Sequence, residues 1–389
     1  LGWSVSVAGH MAKVAVVGCG MIGSAAMKYL ALAGVDVVGF SSREPSSYAD
    51  HDGVFASHYD AGRITRTLDG DRDWARMARA SVDRYSDLEH ESGVAFYDAV
   101  GFAAFGPPGS RYVDCVRNIA DDFSTVSRTV RPEDFGIIDF GANTEIEAQD
   151  TDAGVINPRE LVRAQLILAE RAGAEIRYEE VARIEPNARD GVSIETIEGN
   201  SFVVHRVLIA TGGFTDLSLT GARLQLDVQG RVVLLVEVGQ EVASAMPSLI
   251  AEDAEGLALS EFYILPPVLY PDGKRYLKIG TAEFNHPLKS RADKISWFHG
   301  KGDVSGDIHA LRRTIETLIP SIRDRTMRQL RCVITYTVSG YPYLDWLNDR
   351  TAIALGGCGQ AAKSSDEIGR LAARLFDGDE MRYPAITAE

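Results

Sequence analysis

Basic charge is the first thing this sequence is short of. Its 40 Lys and Arg stand against 55 Asp and Glu, a formal net charge of −15. Such a balance counts against non-specific nucleic-acid binding and against docking on anionic membrane, both of which ask for a cationic face. No apolar run reaches the ~20 residues a helix needs to cross a bilayer. Nothing after Met11 has the basic-then-apolar order of a signal segment. Cysteine is scarce. Cys19, Cys115, Cys332 and Cys358 are scattered, without the paired spacing of a metal site or a disulfide framework. No metal is therefore expected, and a reducing cytoplasm is the expected location. Internal repeats and low-complexity stretches are also missing. The first ten residues, LGWSVSVAGH, read as a remnant ahead of a start at Met11.

What is present begins with KVAVVGCGMIGSAAMKYLALAG. Val14 to Val17 reads as a buried strand, Gly18-Cys19-Gly20-Met21-Ile22-Gly23 as a tight turn, and the stretch to Leu32 as a helix closed by Gly34. A second strand runs from Val35 to Val38. In such a unit Gly18 permits the turn, Gly20 lets the backbone approach a pyrophosphate, and Gly23 lets helix and strand pack closely. The helix N-terminus adds amide donors and the positive end of its dipole. A dinucleotide site follows from this context. Which dinucleotide does not. An acid at the end of the second strand normally bonds ribose hydroxyls, but here the segment is VGFSSREP. Ser41 stands where the acid is expected, and Glu44 comes three residues later. Ser41, Ser42 and Arg43 suit a 2′-phosphate equally well, so FAD and NADP both stay open at this point.

The rest of the chain alternates. DRDWARMARASVDRYSDLEHESG reads as one helix, with Trp74, Met77, Ala78, Val82 and Tyr85 recurring at three and four. Short strands follow in VAFYDAV and GFAAFG, then a Pro107-Pro108-Gly109 turn. Asn157 caps a helix with Pro158 in its first turn and Glu160 three residues on, and Gly173 ends it. Residues 230–290 alternate and are turn-rich, as in an antiparallel sheet; DIHALRRTIETLIPSI is helical; strands near RCVITYT and TAIALGG lead to a helix from Ser365 to Phe376. The expected architecture is α/β, α+β overall: a Rossmann-like domain with a second, mainly antiparallel sheet domain. Residues 11–98, 150–222 and 328–389 are assigned to the first, and 99–149 and 223–327 to the second.

Six motifs, in order along almost all of residues 12–385, resemble the FAD-dependent amine oxidases of the monomeric sarcosine oxidase type, within the D-amino-acid oxidase superfamily. They are the glycine turn; SHYDAGRITR, Ser57 to Arg66; DAGVINPRELVRA with VLIATGG; YLKIG, Tyr276 to Gly280; RCVITYTVSGYPYLD, Arg331 to Asp345; and GGCGQAAKSS, Gly356 to Ser365. The resemblance implies FAD and demotes NADP. It implies a cofactor site with contributions from Gly18, Gly20, Met21, Ile22, Gly23, Ser57, His58, Arg63, Val181, Thr211, Gly212, Gly357 and Gly359. Ser41, Ser42, Arg43 or Glu44 would meet the adenosine ribose, and Cys332 matches the cysteine that bonds covalently to the flavin.

The same resemblance assigns the chemistry. Arg66 and Lys363 match a basic pair that grips a substrate carboxylate, which an arginine fork and a lysine point charge suit. Arg63 resembles the arginine near the flavin's reactive nitrogen, and Tyr263 a pocket tyrosine above the flavin. Lys278 resembles the lysine that activates dioxygen, where an ammonium stabilises superoxide-like charge. Gln360, Ala361 and Ala362 replace an aromatic and a histidine of the family turn, Ala282 another histidine, and Ile334 a tyrosine. These departures imply a differently shaped pocket. The implied activity is oxidation of a C–N bond in a secondary or cyclic amino acid, amine to imine, with dioxygen reduced to hydrogen peroxide. A flavin-dependent amino acid dehydrogenase, or a D-amino-acid or deglycating oxidase, is the alternative. Small-molecule substrate and dioxygen are the expected partners, with a monomer or weak dimer.

Overall fold

The computed structural model describes residues 14–141, 143–187, 191–216, 224–239 and 246–377. The expected remnant at 1–10 and the domain limit between 222 and 223 lie outside these residues. One six-stranded sheet runs in the order Tyr343–Asn348, Thr351–Leu355, Arg206–Ile209, Val14–Val17, Val37–Phe40, Glu175–Arg177. Its neighbours are parallel except the 343–355 hairpin. Val14–Val17, Val37–Phe40 and Thr351–Leu355 are buried along their whole length. That is why they read as unbroken apolar runs rather than alternating ones. The helix Met21–Leu32 leaves the carboxyl end of the first strand, so the glycine turn opens on the edge of the sheet where α/β folds bind ligands.

A nine-stranded sheet holds the second half of the core, through Leu234, Val236, Ile264, Leu277 and Ile279. Its helix Ser305–Leu318 packs Leu311 and Ile315 into the same cluster. Its pairings are antiparallel apart from Ser248–Ala251 against Phe102–Gly106. The strand Leu226–Glu237 runs against Met327–Thr337 with Leu226 opposite Thr337 and Val236 opposite Met327. The domain limit expected at 328 therefore falls one residue inside a strand of this second sheet. A small third sheet, Arg63–Arg66 with Ala153–Ile156 and Tyr97–Asp98, carries the arginine segment.

Several elements differ from the expectation. The second strand is Val37–Phe40 rather than Val35–Val38. The long helix is two, Arg72–Val82 and Tyr85–Ser92, with Asp83 and Arg84 between them. Arg84 leaves the helix to reach Asp366 Oδ2 at 2.7 Å. A helix at Arg111–Phe123 follows the Pro-Pro-Gly turn, started by the Ser110 hydroxyl accepting from the Val113 N–H. The helix expected from Ser365 begins earlier, as Ala361–Arg374, which places Lys363 in its first turn. That helix crosses Met21–Leu32 closely. A Cβ at Gly369 would stand 2.4 Å from the Ala25 methyl and 2.6 Å from the Ala26 nitrogen, so only glycine lets the two backbones approach.

Candidate active site

A cavity of about 670 Å³ extends from the glycine turn to the nine-stranded sheet, within the range of cofactor and ligand sites. At one end it is walled by Gly18, Gly20, Met21, Ile22, Ser41 and Ser42. Ser57, His58, Val181, Thr211 and Gly212 line the same stretch. A Cβ at Gly18 would lie 2.7 Å from Ala210 O, and one at Gly23 would lie 1.8 Å from Gly18 O. Gly23 thus shapes the turn from behind and does not face the cavity. The helix after the turn has no side-chain cap and no acid in its first turn, so its amides and dipole are left for an anionic ligand. His58 is half-buried, and its Nδ1 is shielded from solvent and unpartnered. Burial pushes its imidazole down to about 4, so it is neutral and can take a hydrogen bond from a bound group.

Two residues expected at the ribose are engaged elsewhere. Glu44 takes a bidentate pair from Arg159, at 2.7 and 2.6 Å, and the Tyr48 hydroxyl at 2.7 Å. Arg43 lies 3.7 Å over the Tyr178 ring. Neither lines the cavity, which leaves Ser41 and Ser42 at the end of the second strand.

At the other end Arg63, Arg66, Tyr263, Cys332, Gln360 and Lys363 share the wall, with Gly357 and Gly359. Residues 63, 263, 332 and 363 come from four separate parts of the chain. Cys332 lies directly opposite Arg231 across the long strand pair. Tyr263 packs against Gly280, where an added Cβ would be 2.5 Å from its hydroxyl. Arg66 and Lys363 are 5% and 1% exposed. Arg66 Nη2 donates to Asp69 Oδ2 at 2.7 Å, and Lys363 Nζ lies 3.1 Å from the same oxygen. Burial lowers Lys363 to about 8 against the opposing pull of Asp69. The basic pair is therefore brought together as expected, but with an acid of its own.

Lys278 points inward as its alternation predicts, yet it does not line the cavity. Its Nζ donates to Asp60 Oδ2 at 2.6 Å and to Gly62 O at 2.9 Å. Arg63 contacts the same Asp60 oxygen, and the Tyr270 hydroxyl donates to its Oδ1 at 2.9 Å. Lys278 thus braces the loop that presents Arg63.

Sequence reading missed Asp60, Asp69, Arg231, Glu252, Glu261 and Cys358. The last four also line the cavity. Asp60 sits inside a quoted motif, and Asp69 lies one helical-turn spacing past Arg66; those were the available signals. Glu252 is pushed up to about 7 by burial and by Glu261, against the pull of Arg66.

The orphaned His58 nitrogen, the glycine cradle and the uncapped helix start all fit the pyrophosphate-bearing half of FAD. This fold and site define a flavin-dependent oxidoreductase. The FAD dependent oxidoreductase family model matches residues 13–375, and the chain belongs to that family. It is 25% identical over 377 residues to the monomeric sarcosine oxidase of a Bacillus species, covering 93% of this chain and 91% of the relative. It is 28% identical over 269 residues to that of Streptomyces avermitilis, 67% of each chain. Among solved structures, a variant of NikD, an unusual amino acid oxidase essential for nikkomycin biosynthesis, superposes with a TM-score of 0.78 at 21% identity, covering 98% of both chains. L-proline dehydrogenase from P. horikoshii gives 0.76 at 16% identity, covering 96% of both. FAD is the cofactor of the family. No helix among the described residues is long and apolar enough to cross a membrane, and no group of metal-ligating side chains occurs among them.

Proposed function

We propose that this protein oxidises the C–N single bond of a small secondary or cyclic amine to the imine, with dioxygen taking the two hydrogens as hydrogen peroxide. The observation that supports this most is the shared wall of Arg63, Tyr263, Cys332 and the Arg66–Lys363 pair, facing the cavity that begins at the glycine turn. Bound FAD supplies two-electron redox chemistry that no side chain can provide. The remaining work belongs to the protein. Gly18, Gly20 and the Met21–Leu32 helix start would hold the pyrophosphate; Ser41 and Ser42 would hold the ribose; Cys332, on the cavity wall, would carry a thioether to the flavin. Arg63, held by Asp60, presents a fixed positive charge to the flavin side of the cavity. Tyr263, Ile250 and Leu265 line the substrate end and keep water from it. Lys278, behind the cavity wall, fixes Arg63 through Asp60 and would act on dioxygen reduction through that contact.

The test is a screen of secondary and cyclic amines against the purified yellow protein, first without oxygen and then with it. Bleaching of the flavin absorbance without oxygen, and stoichiometric peroxide with it, are expected. Bleaching followed by slow recovery in air, with rapid recovery on an artificial acceptor, would instead mark a dehydrogenase.

A further inference from the structure

The substrate end of the cavity has a carboxylate edge that C–N oxidation alone does not use. Glu252 and Glu261 both line it. The register that sets Ala251 opposite Phe262 carries on to set them opposite each other, at the ends of two neighbouring antiparallel strands. Side chains so placed stand about 4.5–5.5 Å apart at Cβ, and like charges there repel. Neither carboxylate accepts a hydrogen bond or meets a cation at ion-pair distance among the described residues. No group of metal-ligating side chains forms around them there either. Glu252 lies in the field of Glu261, Asp69 and Asp253 against Arg66. Glu261 lies in that of Glu283 and Asp253 against Arg231. Burial and these acids push both carboxyls above their ordinary range, and a cation beside them would restore the charged form.

A second observation comes from the cations on the same wall. Arg66 and Arg231 line the cavity and are each 5% exposed. In both, Nε is shielded from solvent and has no partner. Buried donors are seldom left so, and these two point to a ligand with acceptor atoms at this end. The edge therefore suits a molecule with a positive charge in addition to such atoms. Room beside the glutamates comes from Ala282. The Thr281 hydroxyl donates to Glu261 O at 2.6 Å, and Phe284 O accepts from Arg231. Residues 281–284 thus bridge Glu261 and Arg231, and Ala282 brings only a methyl to the cavity there.

We infer that the amine oxidised here carries a second, positively charged nitrogen, and that Glu252 and Glu261 bind it. The substrate class is a secondary or cyclic amine with a distal ammonium or guanidinium, such as an N-alkyl derivative of a diamine or of a basic amino acid. The two glutamates are then specificity-determining residues, and their role rests on the C–N oxidation proposed above. Glu252 is half-buried and Glu261 more exposed, so Glu252 has the larger share of the selectivity, since a charge pair is stronger away from water.

The experiment uses the holoprotein and pairs of amines that differ only in an ammonium against a methyl group: N-methyl-1,4-diaminobutane against N-methylpentylamine, and Nα-methyllysine against N-methyl-2-aminoheptanoate. The concentration giving half-maximal bleaching of the flavin without oxygen is the readout, in wild type, Glu252→Gln and Glu261→Gln. In wild type the ammonium-bearing member of at least one pair should half-saturate at least tenfold lower than its partner. Glu252→Gln should cut that ratio at least fivefold, and Glu261→Gln by less. A second readout needs no turnover: 1,4-diaminobutane should raise the melting temperature of wild type more than pentylamine does, and Glu252→Gln should lose the difference. Equal half-saturation within both pairs, or a preference that survives both glutamine variants, would overturn the inference while leaving amine oxidation intact. If no amine bleaches the flavin, the oxidation reading fails, and the melting-temperature series alone decides whether the glutamates bind a cation.

Discussion

Replacing Asp366 with alanine should unlock the two helices that join the ends of the cavity. Asp366 is fully buried on Ala361–Arg374, one turn beyond Lys363. It accepts Lys28 Nζ at 2.6 Å, the Tyr29 hydroxyl at 2.8 Å and Arg84 Nε at 2.7 Å. Burial opposes its charge, but Lys28 and Arg84 hold the carboxyl below its ordinary range. The Lys28 side chain is 2% exposed, so truncation leaves an ammonium in the core with no counter-ion. Removing one member of such a pair costs about 3–5 kcal/mol. The Arg84 side chain is 29% exposed, and its share is nearer the ~1 kcal/mol or less of a solvated pair. Urea titration followed by both far-ultraviolet dichroism and flavin absorbance is the assay. The midpoint should fall, and flavin release should come before the loss of helix signal, because the helix pair carries the glycine turn and Lys363 together. Lys28→Met in the Asp366→Ala background should recover much of the loss, since it removes the uncompensated charge. A loss below about 1 kcal/mol, or no recovery in the double variant, would refute the assignment of this pair as the lock.

Other outcomes can be checked more briefly. Denatured wild-type protein should carry the mass of one FAD, and Cys332→Ser should not; equal masses would mean a noncovalent flavin. Lys278→Met should slow reoxidation of the reduced flavin by air at least tenfold in stopped-flow mixing, with a smaller effect on its reduction by amine. Glu252 has a raised folded-state value, about 7 against an ordinary 4.5. Its contribution to stability is therefore full below pH 4.5 and is lost as pH rises through 7. The melting temperature of Glu252→Gln should gain on wild type across that window, by less than a fully buried group would give because the side chain is only half-buried. A constant difference would place the titration elsewhere.

Much of the frame was legible because it depends on local pattern. The buried run before Gly18, the Asn157-Pro158 helix start and the glycine at 173 each encode their own geometry. The Asn157 side chain accepts from the Arg159 and Glu160 N–H groups as its cap spacing predicts. The site was legible as a set of cations but not as a set of pairs. Arg66, Lys278 and Lys363 could be picked out by motif. The counter-ion of Lys278 could not, because Asp60 lies 218 residues away in the chain and only the fold joins them. Glu44 shows the converse: it stands close to the ribose position in sequence, yet Arg159 on the distant helix Pro158–Arg171 claims it. The break at Asp83 was hidden for a similar reason, since the apolar period continues across it and the partner of Arg84, Asp366, is distant in the chain.

The ladder between Leu226–Glu237 and Met327–Thr337 has a consequence for how the molecule comes apart. Leu226–Glu237 has Arg275–Gly280 on its other side, whereas Met327–Thr337 pairs among the described residues with Leu226–Glu237 alone, so the inner strand's amides should take up deuterium later than those of its edge partner. Cys332 sits within that ladder. A thioether there would tie the prosthetic group to an edge strand, so fraying of that edge would leave the yellow colour with the chain.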